Sequence, residues 1–214
     1  MIWLLDNVLD GGDIRYLTQD WKDDIFHCGS DSNPNKKVKK AYVLNYDYEE
    51  HDNKCSYFYD KLRPHMDDYL IRRVGQPYFV WYKTGCFYDY HLDAFPIAGI
   101  APHFSFTCFL NDPSEYEGGE LLLTVGDTVT SHKPKAGSVI LYHTGLWHKV
   151  NKVLSGDRKV VVGWAESLIK NSHIRDCVIN MKRALNEIED DVSVHKLERL
   201  EAVRMNLIRE YADV

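Results

Sequence analysis

From Pro77 to Ser167 the chain is cut into short runs rich in Tyr, Phe, Val, Ile and Leu, each closed by Gly, Pro, Asn or Asp. That punctuation leaves no room for long helices and reads as strands near Tyr78–Tyr82, Phe87–Leu92, Phe104–Leu110, Glu120–Val125, Val129–His132, Ser138–Tyr142, His148–Val150 and Lys159–Trp164. Asn111-Asp112-Pro113, Glu117-Gly118-Gly119, Gly126-Asp127, Ala136-Gly137 and Ser155-Gly156-Asp157 supply the turns between them. Many short strands at this spacing predict a sandwich or jelly roll. The 14 Tyr and 5 Trp agree, because aromatic side chains fill pleated strands and pocket walls.

Helical signals flank this region. Asp10-Gly11-Gly12-Asp13 predicts a turn into a helix through about Asp20. Tyr57 to Val74 carries Tyr57, Phe58, Leu62, Met66, Tyr69 and Leu70 near helical spacing, with Pro64 as an interruption. After Ser167, Ile174, Val178, Met181, Leu185 and Ile188 form one stripe and Leu197, Leu200, Val203, Leu207 and Tyr211 another. Two amphipathic helices meeting near Asp190-Asp191 follow, packed on the sheet or on a second subunit. The expected architecture is mainly β with flanking helices, a double-stranded β-helix (jelly roll, cupin-like) at 77–167 between N-terminal elements at 1–76 and a helical extension at 168–214. A chain of 214 residues suits one main domain with an appendage.

A net charge of −6 argues against a nucleic-acid groove. The dense basic run Lys36 to Lys40, beside Asp31, Ser32, Asn33 and Pro34, reads as a solvated loop. Cys28, Cys55, Cys86, Cys108 and Cys177 are odd in number and irregular in spacing, which fits reduced thiols and a cytoplasmic location. The start Met1-Ile2-Trp3-Leu4-Leu5 meets Asp6 and Asp10 at once, unlike a signal peptide, and no uncharged stretch is long enough for a membrane span.

The chemistry is carried by His91-Leu92-Asp93 with His148 and Arg158. Side chains two apart on a strand share a face, so His91 and Asp93 can reach one ion together. His148 opens a later strand, where an antiparallel double sheet returns the chain. Two histidines and one carboxylate leave about three positions of an octahedral iron open, the facial triad of Fe(II) oxygenases. The chain contains a second HxD, His65-Met66-Asp67, in a helical stretch where residues two apart diverge and cannot chelate.

Arg158 opens the next strand, where a guanidinium can pair in bidentate fashion with the distal carboxylate of 2-oxoglutarate while the keto-acid end chelates iron. By alternation Arg158, Val160, Val162 and Trp164 share the inner face. Tyr82 can hydrogen-bond the co-substrate carboxylate. Trp164 reads first as core, and Gly118, Gly119 and Gly137 as turn glycines. The other histidines read as structural or surface groups, with His143, near His148, a candidate for the entrance.

From about Tyr78 to Ser167 the chain resembles the PKHD-type hydroxylases of bacteria and phages, prolyl-4-hydroxylase-like members of the Fe(II)/2-oxoglutarate dioxygenases. The likeness runs through Trp81-Tyr82, Tyr88-Asp89-Tyr90-His91-Leu92-Asp93, Thr107 to Pro113, Tyr116 to Leu121, Pro134 to Tyr142, and Gly156-Asp157-Arg158 to Trp164. The resemblance implies Fe(II) on His91, Asp93 and His148, 2-oxoglutarate on Arg158 with help from Tyr82, and L-ascorbate as the reductant that keeps iron ferrous. It implies consumption of O2, release of succinate and CO2, and hydroxylation of a protein or peptide, with proline as the target. Leu146-Trp147 and Tyr142-His143-Thr144, where members of the family often carry small polar residues, flank the expected substrate entrance.

Two other readings use the same residues. One is hydroxylation of a small molecule on the same iron core. The other is a cupin-like metal-binding module without turnover, which would use more histidines and give Arg158 no reason to face the metal. Position 164 is Trp, so the second arginine expected in nucleic-acid demethylases of this superfamily is missing. A homodimer through the C-terminal helices is compatible with any of these functions.

Overall fold

A computed structural model of the protein describes residues 1–29 and 38–213. In chain order its elements are β1 (Ile2–Leu5), α1 (Gly11–Thr18), β2 (Phe26–Cys28), β3 (Lys39–Lys40), β4 (Tyr42–Leu44), α2 (His51–Leu62), β5 (Ile71–Val74), β6 (Tyr78–Tyr82), β7 (Phe87–His91) and β8 (Phe104–Phe109). There follow β9 (Tyr116–Gly118), β10 (Leu121–Val125), β11 (Thr128–His132), β12 (Val139–His143), β13 (His148–Val150), β14 (Val153–Gly156), β15 (Arg158–Ser167), α3 (Ser172–Glu187) and α4 (Val194–Tyr211).

The larger sheet runs β1-β12-β8-β15-β6-β4-β2, with β5 also paired to β15, and the smaller runs β11-β10-β13-β7-β3. From β6 onward the chain passes repeatedly between them: β6, β8, β12 and β15 lie in the larger sheet and β7, β10 and β13 in the smaller. That alternation is the double-stranded β-helix, or jelly roll, which the strand spacing predicts.

Strand periodicity assigns each side chain to one of two apolar layers. In β8, Phe104, Phe106 and Cys108 join the cluster that also holds Leu17 of α1, Phe58 and Leu62 of α2, and Val178 and Ile179 of α3. The opposite phase sends Phe109 between the sheets, with Val80, Leu121, Leu123, Ile140, Val150 and Val160. Helices therefore cover the outer face of the larger sheet, and the space between the sheets is left for the site. α1 starts where the sequence places it, because the Asp10 side chain accepts from the Gly12 and Asp13 amides while Asp13 accepts from the Asp10 amide.

Several expectations change. The helical stretch expected over Tyr57 to Val74 starts earlier, at His51, and ends at Leu62; Pro64 sits in the tight turn Arg63–His65, and Ile71–Val74 is a strand paired to β15. The elements before residue 77 do more than pack on the core, since β1 to β5 hydrogen-bond into the two sheets. Glu117-Gly118-Gly119 and Ser155-Gly156-Asp157 are not simple turns: β9 and β14 pair as a two-stranded ribbon. Gly118 and Gly156 permit it, with φ of 69° and 70°. A Cβ at either would lie 2.1 Å or 2.3 Å from a backbone oxygen of the facing segment.

Of the basic run, Lys36 and Lys37 fall outside the described residues, as do Asp31, Ser32, Asn33 and Pro34. Lys39 is buried in β3, not solvated. The first C-terminal stripe buries Val178 and Leu185, but α4 packs on α3 and has no buried residue. No described helix is long and apolar enough to cross a membrane.

Candidate metal centre

β7 and β13 are neighbours in the smaller sheet, and their pairing sets His91 directly opposite His148. Asp93 lies two residues past His91, just beyond the strand end. Its Oδ1 is 3.9 Å from His91 Nε2 and 3.7 Å from His148 Nε2. One ligand atom from each of the three residues falls within a 4.8 Å cluster, and the side chains are 5–10% exposed.

The hydrogen bonds behind this cluster orient each donor atom toward its centre. His91 Nδ1 is 2.8 Å from the Asp89 carbonyl oxygen and His148 Nδ1 is 2.9 Å from that of Leu146. A carbonyl only accepts, so each Nδ1 carries the hydrogen and each Nε2 keeps its lone pair for a cation. The Ser105 hydroxyl donates to Asp93 Oδ2 at 2.6 Å, leaving Oδ1 facing the imidazoles. Ser105 Oγ also lies 3.2 Å from Thr144 Oγ1, and since its one hydrogen goes to Asp93, Thr144 is the donor of that contact. Burial, and then the neighbouring His148, push the His91 imidazole well below its usual pKa, which keeps it neutral and able to ligate. The Tyr88 ring stacks on that of His91 at 3.5 Å.

The three residues line a cavity of about 350 Å³ between the sheets, and Arg158, Tyr82, Thr107, Tyr142 and Trp164 line it from the larger sheet. Arg158 is 1% exposed, and among the described residues none of its three guanidinium nitrogens has a hydrogen-bond partner. The faces of Tyr82 and Phe109, 4.9 Å and 5.3 Å away, offset part of the buried charge, and the Tyr116 phenol lies beside it. A buried guanidinium left open to a cavity is matched by a carboxylate, so the residues present fit 2-oxoglutarate as they fit Fe(II). Tyr82 pairs with Arg158 across β6 and β15. Burial pushes its phenol up to about 12 although the Arg158 charge opposes the shift, so it stays a hydrogen-bond donor. Tyr116, behind Arg158, is also shifted up by burial and partly restrained by that charge.

All five residues singled out in the sequence therefore line one cavity. Trp164, expected as core, is buried and also lines it. His143 is not at the entrance: its Nδ1 accepts from Arg175 and its Nε2 donates to Asp176, pinning β12 to α3. Sequence reasoning missed Ser105, Tyr88 and Lys39. Burial pushes Lys39 down to about 8 against the opposing charge of Asp93, and its ammonium lies 4.8 Å from the Tyr88 ring centroid. The alternation of Phe104–Phe109 is the one signal that assigns Ser105 to the cavity side; nothing local announces Lys39.

Residues 77–166 match the family model of the 2OG-Fe(II) oxygenase superfamily. A PKHD-type hydroxylase of Idiomarina loihiensis is 31% identical over 134 residues, which cover 62% of this chain and 62% of that protein. The chain thus spans under two thirds of that relative's length. A PKHD-type hydroxylase of Pseudomonas paraeruginosa is 32% identical over 158 residues, covering 70% of this chain and 69% of that one. Among solved structures, a Pseudomonas putida prolyl-4-hydroxylase superposes with a TM-score of 0.59 over 78% of this chain and 92% of that chain; at 18% identity the likeness speaks for the fold alone. Shared sequence over so much of the Pseudomonas paraeruginosa protein, together with the matched family model, makes this chain a member of the PKHD-type hydroxylases of the 2OG-Fe(II) oxygenase superfamily.

Proposed function

We propose that the chain is an Fe(II)- and 2-oxoglutarate-dependent dioxygenase that hydroxylates an unactivated C–H bond, acting as a prolyl hydroxylase on a protein or peptide. His91, Asp93 and His148 are the iron ligands, Arg158 anchors the co-substrate and Tyr82 assists it. The observation that carries the reading is Arg158, a buried guanidinium with three unpartnered nitrogens in the same cavity as three converging ligand atoms. A metal-binding module without turnover leaves that arginine unexplained.

When bound, iron and 2-oxoglutarate supply the oxidising chemistry: O2 and 2-oxoglutarate become succinate and CO2, and one oxygen atom enters the substrate C–H bond. The chain's own residues hold and orient. Arg158 fixes one end of the co-substrate, and the phenol of Tyr82, un-ionised at working pH, donates a hydrogen bond without adding charge. Ser105 holds the Asp93 carboxylate to one orientation, and the Asp89 and Leu146 carbonyls hold the imidazoles. Val162 and Trp164 supply apolar wall that keeps water from the reacting groups.

Ascorbate is the proposed reductant for the iron. The cytoplasm is the proposed compartment, in keeping with five cysteines that form no disulfide among the described residues. Residues 77–167 are proposed as the catalytic unit, flanked by supporting segments at 1–76 and 168–214. Calorimetry with 2-oxoglutarate and assay of succinate in the presence of Fe(II), O2 and ascorbate test the reading. Micromolar binding with succinate release that EDTA abolishes is expected; a protein that neither binds 2-oxoglutarate nor forms succinate refutes it. Incubation with proline-containing peptides followed by mass spectrometry identifies the target through the gain of one oxygen.

A further inference from the structure

The outer face of the smaller sheet is apolar where it borders the cavity. Leu123 pairs with His148 and His148 with His91, and the Thr124 amide donates to the Trp147 carbonyl. Carrying that register one step further puts Val129, Thr124, Trp147 and Leu92 in a row across β11, β10, β13 and the end of β7. Because successive residues point to opposite sides of a sheet, Val129, Thr124 and Trp147 face away from His91 and His148, while Leu92, just past the end of β7, stands at the rim between that face and the cavity. Val129, Trp147 and Leu92 are 47–52% exposed. In the adjacent row Lys149 lies over the Tyr90 ring, which fixes the sidedness independently.

The row and the metal cluster share a border. Leu92 stands between His91 and Asp93 and also lines the cavity, and Trp147 immediately precedes His148. Two residues past Asp93 comes Phe95, 72% exposed on the lip that follows β7. This lip is held in place: Ile97 and Ile100 bridge each other, and Ala98 packs so tightly that a Cβ on Gly75 would lie 2.8 Å from its own. Phe95 is therefore displayed by a fixed segment.

The geometry points to a docking surface on this outer face, centred on Trp147 and Leu92 and continued by Phe95, that receives the apolar flanks of a polypeptide whose target side chain enters the cavity. This inference rests on the proposed oxygenase reading and specifies its substrate class. The cavity, about 350 Å³, is at the small end of ligand sites, about 300–1,000 Å³, and must hold 2-oxoglutarate as well. It has room for one side chain of the substrate, and the rest lies outside. A ligand enclosed in the cavity would never touch Trp147, whereas a chain threaded past the mouth meets it next. Exposed aromatic anchors beside a site are the usual source of binding energy for a polypeptide.

The test selects from a displayed library of peptides about 15 residues long with a central proline, a length that at about 3.3 Å per residue spans the sheet. Selection uses the full chain loaded with Mn(II) and 2-oxoglutarate. Expected are peptides enriched in Leu, Ile, Phe or Trp beside the proline. Their affinity should fall at least about tenfold for Trp147→Ser and for Phe95→Ser and be largely kept by Trp147→Phe. Absence of apolar enrichment, or binding by both serine variants within about twofold of the parent, overturns the proposal. So does light scattering that finds a dimer of the chain which Trp147→Ser returns to a monomer. Calorimetry with 2-oxoglutarate separates the failures: a parent that binds none indicts the oxygenase reading, and a Trp147→Ser protein that has lost it is damaged at the site, leaving Phe95→Ser to decide.

Discussion

Arg158 and Tyr82 stand directly opposite each other on neighbouring strands, and the guanidinium carbon of one lies 4.9 Å from the ring centroid of the other. The aromatic face offsets part of the buried charge, but among the described residues no acceptor meets the N–H groups of Arg158. On the proposed reading, the ligand-free protein carries a buried charge whose partner is the carboxylate of the co-substrate. Arg158→Met is expected to raise the melting temperature of the ligand-free protein, by about 2–4 °C for each kcal/mol recovered. The parent should gain about 2.7 kcal/mol from 2-oxoglutarate at a hundredfold excess over its Kd, and the variant almost nothing. Scanning calorimetry of both proteins, with and without 2-oxoglutarate, checks the crossover; a destabilised ligand-free variant would mean that Arg158 has a structural partner.

Tyr82 should contribute one hydrogen bond to a charged oxygen. Tyr82→Phe removes it while leaving the ring over Arg158, so the Kd for 2-oxoglutarate should rise about tenfold with little change in stability. Because burial holds the phenol near 12, its ionisation should not weaken co-substrate binding between pH 7 and about 10. Binding measured across that range checks both statements, and a Tyr82-dependent loss near pH 9 would contradict the second.

What the sequence disclosed depended on periodicity. Alternation along a strand assigns Arg158, Val160, Val162 and Trp164 to one inner face; Arg158, Val162 and Trp164 line the cavity, and Val160 is buried in the apolar layer between the sheets. The surroundings of His65-Met66-Asp67 exclude that pair as a chelate, and it lies outside the cavity. Alternation fails where glycine bends the backbone, which is why β9 and β14 read as turns. It also fails where a short strand borders a loop, so β3 and the burial of Lys39 were hidden in a run of lysines. Ser105 owes its role to Asp93, 12 residues earlier in the chain, and a contact between elements has no local signature. The mixed signals of residues 57–74 arose because apolar residues of α2, a turn and β5 fall near helical spacing although only the first belong to a helix.

Ser105 is expected to tune the metal without touching it. Its hydroxyl holds Asp93 Oδ2 at 2.6 Å, and Ser105→Ala would leave that oxygen unpaired and the carboxylate free to rotate. Partners of this kind typically contribute 10–100-fold in metal affinity, so Mn(II) should bind about tenfold or more weakly, with Ser105→Thr recovering part of the loss. Competition titration with a chromophoric chelator reads this directly. The Kd for 2-oxoglutarate at saturating metal should change far less, because Arg158 is untouched; an equal loss in both would assign Ser105 to general packing.

The acid limit of the fold should be set in part by Asp13 and Asp20, which tie α1 and its following turn to α2. Burial alone would raise the pKa of both, but for Asp13 the hydrogen bonds from Lys61, Tyr57 and the Asp10 amide win, and for Asp20 those from Lys54 and Tyr48 do. Each carboxyl therefore titrates below its ordinary value near 3.8 in the folded chain. A group depressed in the folded state binds its proton first in the unfolded one, so its contribution is complete above about pH 4–5 and is lost as pH falls through the folded pKa. Asp13→Asn should cost on the order of 1–2 kcal/mol near neutral pH, through weakened charged hydrogen bonds, and show a shallower decline below pH 4. Urea midpoints for parent and variant between pH 7 and 3 should converge as the pH drops; parallel curves would show that Asp13 titrates alike in both states.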